Sequence, residues 1–324
     1  MTEALYGEQG FYAVSRRGPG LDYRTSSTAS EHFARAIVEL LCRVDAALGH
    51  PDALDFVEVA AAEGALLKQV RTFAPQSLLS RLRLHGVELR PRPEDLHPSI
   101  GWSTQFPQIS GVLFANEWLD NVPVDVVEQT ENGAVQVLVA ADGQEALGPA
   151  ADRATKAWLE WWPLTEEGDR AEVGLTRDRA WANALEYLVR GIAVSIDYCT
   201  FRQDREDGAF PAGTLTAYRN GRQCLPVPDG SCDITAHVAI DAVMQATVDL
   251  VDDTTWMFQS RALENLGIHG KRPQREEYTA APGVYLSKLM IAGEHAELVT
   301  PPLGTMVWLL QTKGIAAENV LRPS

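Results

Sequence analysis

Apolar positions along this chain follow two different periods, and their alternation predicts strands interleaved with helices. In "EHFARAIVELLCRVDAALG" apolar residues recur at intervals of three and four, which predicts a helix capped by Ser30 or Thr28 and stopped at Gly49. The short continuous run "ALDFVEVA" predicts a buried strand, and "GALLKQVRTFA" from Gly64 returns to the helical period. "SRLRLHGVELR" predicts a second strand ending near Glu88. The link that follows carries Pro91, Pro93 and Pro98, so the usual crossover helix is truncated there. "SGVLFANEWLDNVP" is a third strand, and "VDVVEQTENGAVQVLVA" reads as a hairpin around Asn132-Gly133.

Further along, "RATKAWLEWWPL" gathers Trp158, Trp161 and Trp162. That is a buried or partner-covered aromatic cluster, with a stacking platform for a ligand as the other reading. "RDRAWANALEYLVRG" predicts an amphipathic helix closed by Gly191, and "IAVSIDYC" a buried strand with an acid at its end. Thr200 to Ser231 reads as a long loop, and "DITAHVAIDAVMQATVDL" as a strand or helix entry. "MFQSRALENLGI" predicts a helix, and "AELVTPPLGTMVWLLQTKG" a terminal element packing back on the sheet.

Together these elements predict an α/β fold: a Rossmann-like doubly wound sheet with an added β-hairpin and N- and C-terminal helical extensions. The organisation is a loop and helix over residues 1–50 and a main domain over 51–324. The main domain carries inserted hairpin and helices at about 123–190 and a long loop at about 200–231.

Charge and cysteine content narrow the function. The 324 residues include 44 acidic and 28 basic ones, a formal charge of −16 without any Lys/Arg block, which argues against nucleic acid or an anionic membrane as partner. No apolar run reaches the roughly 18–20 residues of a membrane helix. "MTEALYGEQG" lacks the pattern of a secretory signal, so the expected location is cytoplasmic. Cys42, Cys199, Cys224 and Cys232 form no CxxC, so no metal site is expected and the thiols are expected reduced.

In a doubly wound sheet the ligand lies beyond the carboxyl ends of the strands. Those ends deliver Glu58 and the Ala60–Gly64 turn, then Glu88, then Asn116 and Glu117, then Asp197. Glu88 lies 24 residues past Gly64, where an acid accepts from both hydroxyls of a ribose, although a strand-end glutamate also serves as a turn cap. The turn reads "AAAEG". A pyrophosphate needs glycines for close approach, so methyl groups and Glu63 point away from dinucleotides. A ligand with a ribose, an adenine and a cationic head suits it better, and S-adenosylmethionine is such a ligand.

The chain resembles the MidA-type class I S-adenosylmethionine-dependent methyltransferases, whose mitochondrial relatives are complex I assembly factors that methylate an arginine. The likeness runs unevenly from about Tyr6 to Gln311. "GPGLDYRTSSTASEHFARAI" is similar to the family's N-terminal stretch at Asp22, Tyr23, Thr25 and Ser30, and "FVEVAAAEGALL" to its cofactor turn. "FANEWLDNVPVDVVE" is the most specific match, through Ala115, Asn116, Glu117, Asp120 and Pro123. "IDYC", "DITAHVAIDAV" and "FQSRALENLGI" resemble further family segments, and "TPPLGTMVWLL" is a looser echo. Departures fall at Ala60 and Ala62, which replace glycines, at Glu63 for a basic residue, and at Cys199 for glycine.

The resemblance implies the class I methyltransferase fold, S-adenosylmethionine as methyl donor, and a cofactor set of Tyr23, Thr25, Glu58, Ala60, Ala62, Gly64, Glu88 and Asn116. The N-terminal loop is then a lid over the cofactor, with a plain helix-capping loop as the other reading. It also implies a guanidinium acceptor clamped by Glu117 and Asp120, with Asn116 positioning it and Asp197 or His237 supporting or taking the proton. Plainer readings stand beside these. Asp120 and Asn121 suit a helix cap, Asp197 a turn cap, and His237 a hydrogen-bonded packing histidine. The partner is a protein or small-molecule methyl acceptor, and the tryptophan cluster admits a homo-oligomer. Two rival classes remain: a non-catalytic assembly or binding protein with a degenerate cofactor turn, and a nicotinamide oxidoreductase, which the missing GxGxxG opposes.

Overall fold

The computed structural model describes residues 1–14, 26–275, 278 and 281–321. The described residues form two compact units: one of residues 1–14, 117–183 and 197–250, and another of the remainder. Tyr23 and Thr25, expected near the cofactor, lie outside the described residues.

The second unit is built on a seven-stranded sheet. Its strands are β1 (Leu54–Val59), β2 (Leu82–Val87), β3 (Gly101–Ser103), β4 (Ile109–Asn116), β5 (Leu188–Asp197), β6 (Asp253–Phe258) and β7 (Val307–Lys313). Their order is β6-β7-β5-β4-β1-β2-β3. β1 pairs in parallel with β2 and β4, β2 with β3 and β4 with β5, while β6 and β7 run antiparallel. The order reverses beside β1, the place where doubly wound sheets hold ligands. β1 is buried at every position, as its unbroken apolar run predicts. Phe56 and Phe114 meet across β1 and β4 at 5.7 Å, and Phe33 and Trp308 continue the aromatic core.

The helix Glu31–Ala47 begins at Ser30, whose side chain accepts from the His32 N–H, and Gly49 (φ +75°) follows its end. The helix Ala65–Phe73 begins at Gly64. Between β2 and β3 no helix forms. Arg92 holds that proline-rich link instead, donating to the carbonyls of Ile100, Leu96 and His97 at 2.6, 3.2 and 2.9 Å.

Two expectations about helices need correction. The helix of "RDRAWANALEYLVRG" spans Leu175–Glu186, and Gly191 does not close it. Gly191 sits inside β5 opposite Gly111 with φ +121°, and a Cβ there would collide with the Gly111 carbonyl oxygen. The glycine serves strand contact, which its sequence context resembled a stop signal for. The 18-residue helix Pro282–Val299 was not predicted, because its apolar residues follow no amphipathic period.

In the first unit, Asp125–Thr130, Gly133–Val139, Glu145–Ala150 and Arg170–Val173 form a four-stranded antiparallel sheet. The hairpin pairs Thr130 with Gly133, so the turn residues are Glu131 and Asn132. Trp158 and Trp162 pack 5.8 Å apart on Val127, Ala171 and Val173 of this same unit. The tryptophans are therefore covered from within and give no argument for an oligomer. The stretch expected to be a long loop carries a helix, Arg202–Glu206, and a hairpin of Thr216–Arg219 with Arg222–Cys224. Asn220 and Gly221 turn that hairpin, both with positive φ (+51° and +73°). All four cysteines are free thiols. Among the described residues no helix is long and apolar enough to cross a membrane, and no cluster suited to a metal ion occurs.

Candidate functional site

The turn after β1 keeps a left-handed backbone at alternate residues: Ala60 (φ +54°), Ala62 (φ +49°) and Gly64 (φ +67°). An L-residue pays roughly 1–2 kcal/mol for that conformation. The alanines therefore retain the shape that glycines would give, under strain. Hydrogen bonds impose it: Ala60 N–H donates to Val87 O at 2.9 Å and Gly64 N–H to Ala61 O at 2.7 Å.

Glu88 locks the turn from the end of β2. Its Oε2 accepts from Ala62 N–H at 2.8 Å and its Oε1 from Arg90 N–H at 3.0 Å. Glu63 pairs with Arg90 at 2.9 Å. Trp102 on β3 covers the floor: a Cβ on Gly86 would meet its ring at 2.6 Å, and one on Gly64 would meet Leu96 Cδ1 at 2.9 Å. Both glycines are required by this close approach.

Glu58 stands on β1 just before the turn, 7% exposed. Its carboxyl group accepts from Leu67 N–H in the first turn of the following helix, whose N-cap, Gly64, has no side chain to do so. Its Oε2 is buried and finds no hydrogen-bond partner among the described residues. Burial, and then the charge of Glu88, push the Glu58 carboxyl up to about 8. Asn116 ends β4, half-buried and in register with Ile196 of β5.

The first unit gathers a second set. Glu117 follows β4 directly in the chain and is buried with φ +54°, a strained position for a glutamate. The 3-10 turn Leu119–Asn121 comes next. Asp197 caps that turn: its Oδ2 accepts from Leu119 N–H at 3.2 Å and its Oδ1 from Asp120 N–H at 3.3 Å. Asp120 Oδ2 accepts from Thr235 Oγ1 and its Oδ1 from Asn121 Nδ2, both at 3.0 Å.

The two aspartate side chains also hydrogen bond to each other. Burial, reinforced at Asp197 by the Asp120 charge, pushes both carboxyl groups up, Asp197 well above the usual range. The bond between them raises Asp197 and lowers Asp120, so Asp197 is the one that holds its proton more tightly. Tyr198 is raised too, by burial and then by Glu117 and Asp120.

Arg177 is the residue that sequence reasoning missed. It is 1% exposed and donates to four backbone carbonyls: Asp120 O, Val122 O (3.1 Å), Ala236 O (3.0 Å) and His237 O (2.8 Å). One guanidinium thus ties the Asp120 turn to the His237 segment. The buried period of its helix, read back from Leu185, Ala184 and Trp181, lands on Arg177 and Asp178 and was the available signal. His237 Nδ1 bonds Thr200 Oγ1 at 3.1 Å, the ring packs edge-on against Phe210, and burial lowers its pKa.

So Glu58, Ala60, Ala62, Gly64 and Glu88 come together in one unit, while Asp120, Asp197 and, through Arg177, His237 come together in the other.

Residues 36–254 match a protein-family model described as "Putative S-adenosyl-L-methionine-dependent methyltransferase". Among solved structures, a superfamily member from Burkholderia thailandensis bound to S-adenosyl-homocysteine superposes with a TM-score of 0.80 at 23% identity, covering 98% of this chain and 87% of that one. A native structure from the same superfamily and organism gives 0.79 at 22% identity, with 99% and 88% covered. Both show a shared fold over almost the whole chain. No curated protein matches significantly.

Proposed function

The chain belongs to a family of S-adenosyl-L-methionine-dependent methyltransferases, and from that premise we propose that it methylates a guanidinium nitrogen of a protein arginine. The donor, when bound, supplies an electrophilic methyl group on a sulfonium, so the protein's work is positioning and proton removal.

The seven-stranded unit suits that donor. Each Glu88 oxygen takes one backbone N–H, leaving lone pairs for the two ribose hydroxyls. The Oε2 of Glu58, without a hydrogen-bond partner among the described residues, suits a cationic head. Glu58, Ala60, Ala62, Gly64, Glu88 and Asn116 would hold the donor, with Tyr23 and Thr25 completing the set.

Acceptor recognition falls to the other unit in this reading. Glu117 is the carboxylate that takes the guanidinium. Asp120 is 7% exposed with both oxygens engaged, so it and Asp197 shape the turn instead of clamping the acceptor. Asn116 positions the acceptor from the strand end. His237 is the proton acceptor: its lowered pKa keeps the ring neutral near pH 7, and in the tautomer whose Nδ1–H donates to Thr200 Oγ1 the accepting atom is Nε2. A basic protein substrate agrees with the formal charge of −16, and a cytoplasmic location belongs to the same proposal.

The observation that carries the acceptor reading is Glu117, an acid held in a strained conformation one residue beyond β4. Mass spectrometry of arginine- and lysine-containing proteins incubated with S-adenosylmethionine tests it. Arginine methylation that falls roughly 10²-fold in Glu117→Gln, with donor affinity kept, is the expected result. Methylation confined to lysine or to small molecules overturns the acceptor. Donor binding without any transfer favours the non-catalytic reading.

A further inference from the structure

We infer that Glu58 is a counter-ion held in reserve: it carries its proton in the donor-free protein and yields it to solvent when the donor's cationic head arrives, so that donor binding is coupled to proton release. The inference rests on the donor assignment above. In the exchange the Glu58 O–H bond breaks, the electron pair stays on the carboxylate, and the proton passes to a buffer base.

The surroundings of Glu58 carry this argument. One oxygen is spent on Leu67 N–H, and Oε2 faces no donor among the described residues. The flanking strands contribute nothing charged in register, since β4 sets Phe114 beside Glu58 and β2 sets Gly86. On the turn, Glu63 is neutralised by Arg90 at 2.9 Å; on the helix, Lys68 is neutralised by Asp95 at 2.7 Å. At the far end of β1, Arg83 is held by Asp55 at 2.7 Å. That leaves Glu88, whose negative charge opposes ionisation of Glu58.

A buried carboxylate beside a second carboxylate, with no cation facing it among the described residues, is unfavourable, and burial and the Glu88 charge push its pKa up to about 8. A ligand with an ammonium or sulfonium supplies the missing positive charge. It then becomes favourable for Glu58 to ionise, and both acids can be charged at once.

Isothermal titration with S-adenosylhomocysteine at pH 7, in two buffers of different ionisation enthalpy, counts the protons exchanged. The wild type is expected to release about one proton more than Glu58→Gln, a variant that keeps the shape and cannot ionise. Any titration of the ligand's own ammonium appears equally in both proteins and cancels. Wild-type affinity is also expected to rise about tenfold per pH unit between pH 6 and 7.5, and that of Glu58→Gln to rise less steeply.

Binding with equal proton counts in the two proteins overturns the inference and leaves the donor site standing. Wild-type binding with no release, or with uptake, overturns it without reference to the variant. Absence of any binding overturns the donor assignment and this inference together.

Discussion

Ala60 and Ala62 occupy backbone conformations that glycine adopts freely, and the turn after β1 holds them there. Relief of left-handed strain, roughly 1–2 kcal/mol, is partly offset by the extra unfolded-state freedom of glycine, roughly 0.5–1 kcal/mol. Ala60→Gly and Ala62→Gly are therefore expected to be neutral or stabilising by up to about 1.5 kcal/mol. Urea unfolding midpoints check this, and clear destabilisation by either change would contradict the strain account. Residue types in this turn were readable in the sequence. Their φ values were not, because alanine carries no signal for a left-handed conformation that neighbouring hydrogen bonds impose.

Strands and helices were legible where one period ruled and a cap or glycine marked the end, as in Glu31–Ala47 behind Ser30. They failed where a glycine had two meanings. Gly191 looked like a stop and is a cross-strand contact with Gly111, so Gly191→Ala is expected to cost at least about 2 kcal/mol by forcing β4 and β5 apart. A thermal shift measurement reads it directly. The Asn220-Gly221 turn carried the same dipeptide signal as Asn132-Gly133 but was obscured by the polar composition around it.

Arg177 belongs to this scale as well, since it joins two loops through four carbonyls. Arg177→Met is expected to destabilise by about 3 kcal/mol or more, because several buried carbonyls lose their donor at once. Chemical denaturation measures the loss. Hydrogen exchange should localise it to residues 119–123 and 235–238.

Across the whole molecule, buried acids set the pH dependence of stability. Glu58 is raised to about 8 and Asp178 to about 6, each chiefly by burial, and Asp197 is also raised. The stability tied to raised acids is fully present below their unfolded values near 4 and is lost as pH rises through the folded values. Asp45 is lowered, first by its hydrogen bonds from Arg81, and its contribution is lost as pH falls below about 4. The melting temperature is therefore expected to peak between about pH 4 and 5 and to fall from there as pH rises to about 8. Glu58→Gln should flatten the alkaline limb by up to about 1.4 kcal/mol for each unit of its shift. A melting series from pH 4 to 9 tests both.

The sequence by itself determined the alternating α/β architecture, the strand ends that carry Glu58, Glu88, Asn116 and Glu117, and the family with its donor. These follow from hydrophobic period and local motif, which are properties of contiguous residues. Only the tertiary structure decided that Glu58 Oε2 has no hydrogen-bond partner among the described residues, that Asp120 and Asp197 are buried against each other, and that Arg177 binds loops more than fifty residues away. Desolvation and hydrogen bonding between distant segments depend on which residues folding brings together, and no local pattern encodes that.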